Sequence, residues 1–348
     1  MISENSTSGG GGGVDCYDSG LLTLTDCVIS GNSSHGLGGG VYCGQNSSMT
    51  MTDCVINGNS AEADGGGGVA CWYGAITMTR CSVVGNTAQE WFGGGVYAGH
   101  SSATLINCLI ARNTAPMGGG GVACSYPETS VTIRNCTIWG NSGEALLYGG
   151  GGVLCREASA TVTNSILWGN TAPKGREISV QDPASTLSIV YSNVAGSQTD
   201  VSVEGGCTLD WGEGNIDIDP RFTRLGYLDD KGTRDPSDDV WVEGDFHLKS
   251  QAGRWDSESQ TWVQDDVTSP CIDAGNSMSP IGWESFPNGG FVNMGAYAGT
   301  PEASRTFFGK PICDTIVAGD INGDCHVNRT DLEIMALHWT DEEPLLLP

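Results

Sequence analysis

Between Asp320 and Asp331 the chain spaces oxygen-bearing side chains as a single metal ion would need them. Asp320, Asn322, Asp324, Asn328 and Asp331 stand at positions 1, 3, 5, 9 and 12 of the stretch, and His326 at position 7 offers its backbone carbonyl. Calcium is a hard cation that takes about six to eight oxygen ligands, and this spacing wraps them around one centre. The expected cofactor is therefore Ca2+. Val327, at position 8, is expected to pack inward. Leu332, Met335, Ala336 and Trp339 then fall on one face of a helix starting at Asp331. The plainer alternative is a polar turn ahead of a helix.

Other candidate chemistry is sparser. The acidic loop with Asp229, Asp230, Asp235, Asp238 and Asp239 lacks fixed ligand spacing and reads as a solvated surface insertion. Trp139 and Trp168 each follow an aliphatic residue in equivalent positions of two sequence units, so both should point outward. Such a pair could form a platform for a sugar ring, or pack locally against the loop at Glu144–Tyr148. Polysaccharide lyases need Arg or Lys as base and charge neutraliser. Arg80, Arg112, Arg134 and Arg156 fall in four different columns and build no evident cationic groove. His35 and His100 are isolated and read as surface turn residues. No catalytic residue is assigned.

The element that must carry these residues is a repeat. Six copies of Gly-Gly-Gly-Val end at Val14, Val41, Val69, Val96, Val122 and Val153. An Asn column runs Asn5, Asn32, Asn59, Asn86, Asn113, Asn141 and Asn170, at a spacing of 27 to 29 residues. Two Cys columns accompany it, one giving way to Ser165 and the other to Ala98, which suits a small buried filler better than a disulfide. Within each unit the period is 2, as in Leu22-Thr23-Leu24-Thr25, and Thr recurs at Thr23, Thr50, Thr77, Thr104, Thr132 and Thr161. Alternating apolar and Thr residues make half-buried strands. Short strands and Gly turns at a repeat near 27 describe the coils of a parallel β-helix.

Composition sets the limits. The chain has 348 residues, with 15 Lys and Arg against 41 Asp and Glu, a net charge of −26. That balance excludes a general nucleic-acid binder, which needs a basic face against phosphates. No run of about 18 apolar residues exists to span a membrane as a helix. The N-terminus is not a signal peptide and starts within a repeat, which points to a fragment of a longer chain.

Gly-Gly-Gly-Val together with Ile29-Ser30-Gly31-Asn32 resembles the repeats of chlamydial polymorphic outer-membrane proteins and of bacterial right-handed β-helix proteins of the pectin-lyase fold. Ser269-Pro270-Cys271-Ile272-Asp273-Ala274-Gly275 and Asn293-Met294-Gly295-Ala296-Tyr297 are similar to the choice-of-anchor-like tail of many secreted bacterial β-helices. The Asp320–Asp331 loop resembles the first repeat of a type I dockerin, with Asp320, Asn322, Asp324, Asn328 and Asp331 as side-chain ligands. These resemblances imply an all-β, right-handed, single-stranded parallel β-helix of about seven coils with a small C-terminal α-helical EF-hand or dockerin-like segment. The expected divisions are β-helix at 1–195, a capping region at 196–305 that hides the last strand edges, and the calcium module at 314–348. The expected function is a secreted or cell-surface scaffold of adhesin type, contacting carbohydrate. A cohesin-like or cell-envelope anchor protein and a polysaccharide are the expected partners. The alternative is a polysaccharide lyase or glycoside hydrolase.

Overall fold

Each coil turns at single residues. A computed structural model describes residues 1–144, 146–229, 231, 240–242, 244–309, 319, 327 and 329–338. At one corner, Asp26, Asp53, Arg80, Asn107, Asn135, Asn164 and Tyr191 all take left-handed backbone, with φ from 47° to 53°. Asp and Asn dominate this column because their short polar side chains tolerate that region best. The next corner is Gly31, Gly58, Gly85, Gly140 and Gly169, with φ between 61° and 69°.

Between corners the strands stack into parallel sheets, three of eight strands and one of six. Sheet 1 runs from Ile2–Ser3 and Val28–Ser30 to Asn193–Val194, and sheet 2 from Ser6–Thr7 to Ser142–Gly143. Sheet 3 runs from Val14–Cys16 to Ser202–Val203, and sheet 4 from Leu21–Thr25 to Thr208–Trp211. Register is maintained residue by residue: Thr23 faces Thr50, Thr50 faces Thr77, and the column continues to Thr161 and Ser188. The result is an all-β solenoid of about seven coils, as expected. Its core is the inward column Ile29, Ile56, Val83, Ile110, Ile138 and Leu167 with its neighbours, all fully buried.

The glycine runs are steric necessities. A Cβ on Gly39 would lie 2.3 Å from the carbonyl carbon of Ser60 on the next coil. The Cys column tolerates Ser because both side chains do one job. Cys54, Cys81, Cys108 and Cys136 each donate to the carbonyl two residues back, and Ser165 and Ser192 make the same bond. All twelve described cysteines are free thiols.

The Asn column is a buried one-way ladder. Asn32 donates both its backbone N–H and its Nδ2 to Oδ1 of Asn59, at 2.9 and 3.0 Å. The same double bond repeats from Asn59 to Asn86, Asn113, Asn141 and Asn170. The last rung, Asn170, donates instead to the buried carboxylate of Glu177.

The coils continue past residue 195, through Ser202–Val203, Thr208–Trp211 and a bridge between Asn193 and Ile216. The segment that follows departs from expectation. Instead of sealing the last strand edges, it runs back along the outer face of sheet 1. Asn107 donates to the carbonyls of Ala296 and Ala298, Asn164 to Ser279, and Asn193 to Cys271. The reason lies in sheet 1 itself. Its outward residues become large and apolar at Leu109, Trp139, Ile166 and Trp168, and these pack with Phe222, Phe246, Leu248 and Met294. Apolar area that large gains more from cover than a polar strand edge does. No described residue pairs the outer edges of Ser202–Val203 and Thr208–Trp211.

The C-terminal helix spans Arg329–His338. Val327, expected to pack inward, is 55% exposed, and Leu332 and Met335 are also exposed, because no described element covers them.

Candidate functional site

Of the calcium-loop residues, the structure describes Asp331, which is buried in the first turn of the C-terminal helix. Asp320, Asn322, Asp324, His326 and Asn328 lie outside the described residues, as do Asp230, Asp235, Asp238 and Asp239 of the acidic loop. Among the described residues no group of three or more His, Cys, Asp or Glu is arranged to hold a metal ion.

Trp139 and Trp168 do stand side by side on adjacent coils. They are not a bare platform. The tail covers part of the pair, with the Phe246 ring 5.3 Å from Trp139. Among the described residues that cover comes from the distant Phe222, Phe246 and Leu248, and none of it from Glu144 or residues 146–148.

Only one of the two histidines departs from its sequence reading. His35 is an exposed turn residue 3.2 Å from Glu62. His100 is not isolated. Its ring stacks between Tyr73 at 4.6 Å and Tyr126 at 5.0 Å, and its Nδ1 donates to the Pro127 carbonyl. The arginines are dispersed as expected: Arg80 pairs with Asp53, and Arg156 pairs with Asp182 beside the Tyr148 ring. Burial pushes the Cys54 thiol up to about 11 and that of Cys108 well above the usual range, so the nucleophilic thiolate is not populated.

The structure gathers a site that the sequence did not announce. A cleft of about 460 Å³ opens between the coil corner at Asp53, Arg80 and Asn107 and the tail residues Tyr297, Thr300 and Glu302. That volume suits a small ligand. Arg80 donates to both oxygens of Asp53 at 2.7 Å, a bidentate pair on the coil wall. The tail wall rests on a buried histidine. His247 stacks on the Tyr297 ring with centroids 3.6 Å apart. Its Nδ1 is 2.6 Å from Asp245, and its Nε2 is 3.5 Å from Glu302, too long for a well-formed hydrogen bond. Burial opposes charge on His247, but Asp245 and Glu302 outweigh it and raise the ring above its ordinary range. The two carboxylates thus favour the protonated imidazole. It is a clasp for the tail rather than a free base. Arg254 extends the network from Asp245 to Asp256 and Asp265.

Sequence reasoning missed His247 because its partners Tyr297 and Glu302 lie 50 and 55 residues away. Only the alternation in Asp245-Phe246-His247-Leu248 put Asp245 and His247 on one side of a strand.

Two family models match the chain. The one described as right handed beta helix region matches residues 1–109 and 64–217. The one described as disaggregatase related matches residues 233–275. No curated protein matches, and no solved structure does.

Proposed function

The chain belongs to the right-handed β-helix family, and from that premise we propose a secreted or cell-surface scaffold of adhesin type, tethered through the Asp320–Asp331 loop. The observation that carries the scaffold reading is the unbroken register. Sheet 4 presents Thr23, Thr50, Thr77, Thr104, Thr132 and Thr161 outward in one column, over a core locked by the Asn ladder. Such order makes a stiff rod with a uniform hydroxyl face, as a surface spacer contacting polysaccharide requires. The tether reading is supported by the donor set of the loop: five side-chain oxygens and one carbonyl, the choice of a calcium site. A cohesin-like or cell-envelope protein would receive it.

Calorimetric titration of Ca2+ into the full chain, beside Asp320→Ala/Asp324→Ala, tests the tether. One binding event in the parent that vanishes in the variant is the expected result. Absence of heat, or heat unchanged by the substitutions, would refute it.

The second reading is an enzyme, a polysaccharide lyase or glycoside hydrolase, and the match described as disaggregatase related at 233–275 leaves room for an enzymatic role. Release of new reducing ends or unsaturated products from a panel of polysaccharides would support it.

A further inference from the structure

Cations are scarce here, 15 against 41 acids, yet two line one cleft. It measures about 300 Å³ and is bounded by Trp168, Asp219, Arg221, Phe222, Leu225 and Lys249. It lies where the tail first crosses sheet 1, apart from the larger cleft at Arg80. The Lys249 N–H donates to the Arg221 carbonyl at 3.0 Å, which holds the two residues side by side. Asp219 also lines the cleft with its negative charge, and its Oδ1 accepts the Arg221 backbone N–H at 2.9 Å. That bond fixes the left-handed backbone of Arg221, φ 52°. Arg221 spends one guanidinium nitrogen on the Thr268 carbonyl, at 3.4 Å, and keeps its other donors. Two cations against one carboxylate leave the lining net positive, beside the half-buried indole of Trp168 and the apolar Phe222 and Leu225.

We propose that this cleft binds a uronic acid residue, its ring against Trp168 and its carboxylate between Arg221 and Lys249. Each part of the ligand answers a part of the cleft. The C–H face of a pyranose matches an indole and apolar neighbours. A planar carboxylate matches a guanidinium fork reinforced by an ammonium. A neutral sugar would leave both cations without a partner, and a bare carboxylate would leave the indole unused. The −26 net charge opposes anions at a distance. Within a Debye length of about 10 Å, Arg221 and Lys249 set the local field. The inference goes beyond the scaffold reading and needs no calcium.

The test is saturation-transfer NMR and calorimetry on the full chain, with D-glucuronate as probe and D-glucose and acetate as controls. Glucuronate should bind saturably and more tightly than either control by at least about tenfold, as expected of a hydrogen-bonded ion pair. Arg221→Gln/Lys249→Gln should reduce its affinity by at least about tenfold with the melting temperature unchanged, while Lys249→Arg retains binding. Glucuronate binding no tighter than glucose, or a double variant that titrates like the parent, would overturn the proposal. Acetate competing as well as glucuronate would overturn the ring contact with Trp168.

Discussion

Glu177→Gln should stabilise the coils at pH 8 and leave them nearly unchanged at pH 4. Glu177 is 3% exposed and ends the Asn ladder as an acceptor from Asn170. Burial raises its carboxyl from 4.5 to about 7, although the Asn170 bonds pull the other way. The folded state therefore holds this proton more tightly than the unfolded chain does. Below pH 4.5 both states are protonated and the group is silent. Between 4.5 and about 7 the unfolded state ionises first, so stability falls as pH rises. Above that window both are ionised, and the full difference stands as a cost. At about 1.4 kcal/mol per pH unit it comes to about 3 kcal/mol. Glutamine keeps the shape and can accept both Asn170 donors at its single Oε1, as each ladder Asn accepts two from the rung before. The expected gain at pH 8 is roughly 6–12 °C in melting temperature for a body of this size. Thermal melts of both chains at pH 4, 6 and 8 measure it, with amide exchange at Asn141 and Thr171 as a local readout. A gap that is the same at pH 4 and pH 8 would refute the reasoning, because Glu177 would then not titrate in that window.

Other consequences can be measured alongside. Asn86→Ala removes a fully buried rung and leaves the N–H and Nδ2 of Asn59 without their acceptor; a loss of about 2–4 kcal/mol is expected, read by denaturant unfolding. Cys108→Ser should cost less than about 1 kcal/mol, since a Ser in this column already makes the same carbonyl bond at Ser165. His247 is held above its usual range, so the clasp is fully present below pH about 6.5 and weakens as pH rises through the ring's own value. Amides from Met294 to Glu302 should lose protection across that rise, and His247→Gln should abolish the dependence.

The coils were legible in the sequence because a solenoid repeats one local rule. Each aliphatic of the Ile29 column faces the same neighbour every turn, so a spacing near 27 residues carries its three-dimensional register. The handover from Cys136 to Ser165 was readable for the same reason. The path of the tail was not. That Leu109, Ile166 and Trp168 point outward could be read from their strands, but the segment that would cover them could not, since Phe246 and Met294 join them from far along the chain. Glu177 escaped notice because it leaves the Asn column: it folds back seven residues to end the ladder from within its own coil. The clasp at His247 was hidden because its partners share no period with it.

The direction of the Asn ladder bears on how the chain is born. Each rung gives two donors to the rung that follows it in sequence and takes two from the rung before. A coil emerging from synthesis thus satisfies its predecessor at once, while its own Asn waits for a partner not yet made. The growing tip always carries one such unmet pair of N–H groups, which favours the next coil of the same chain over any other acceptor. Glu177 ends this relay with a group that accepts and has no hydrogen of its own to pass on when ionised. Assembly is in effect a sentence read from one end, and the carboxylate is its full stop.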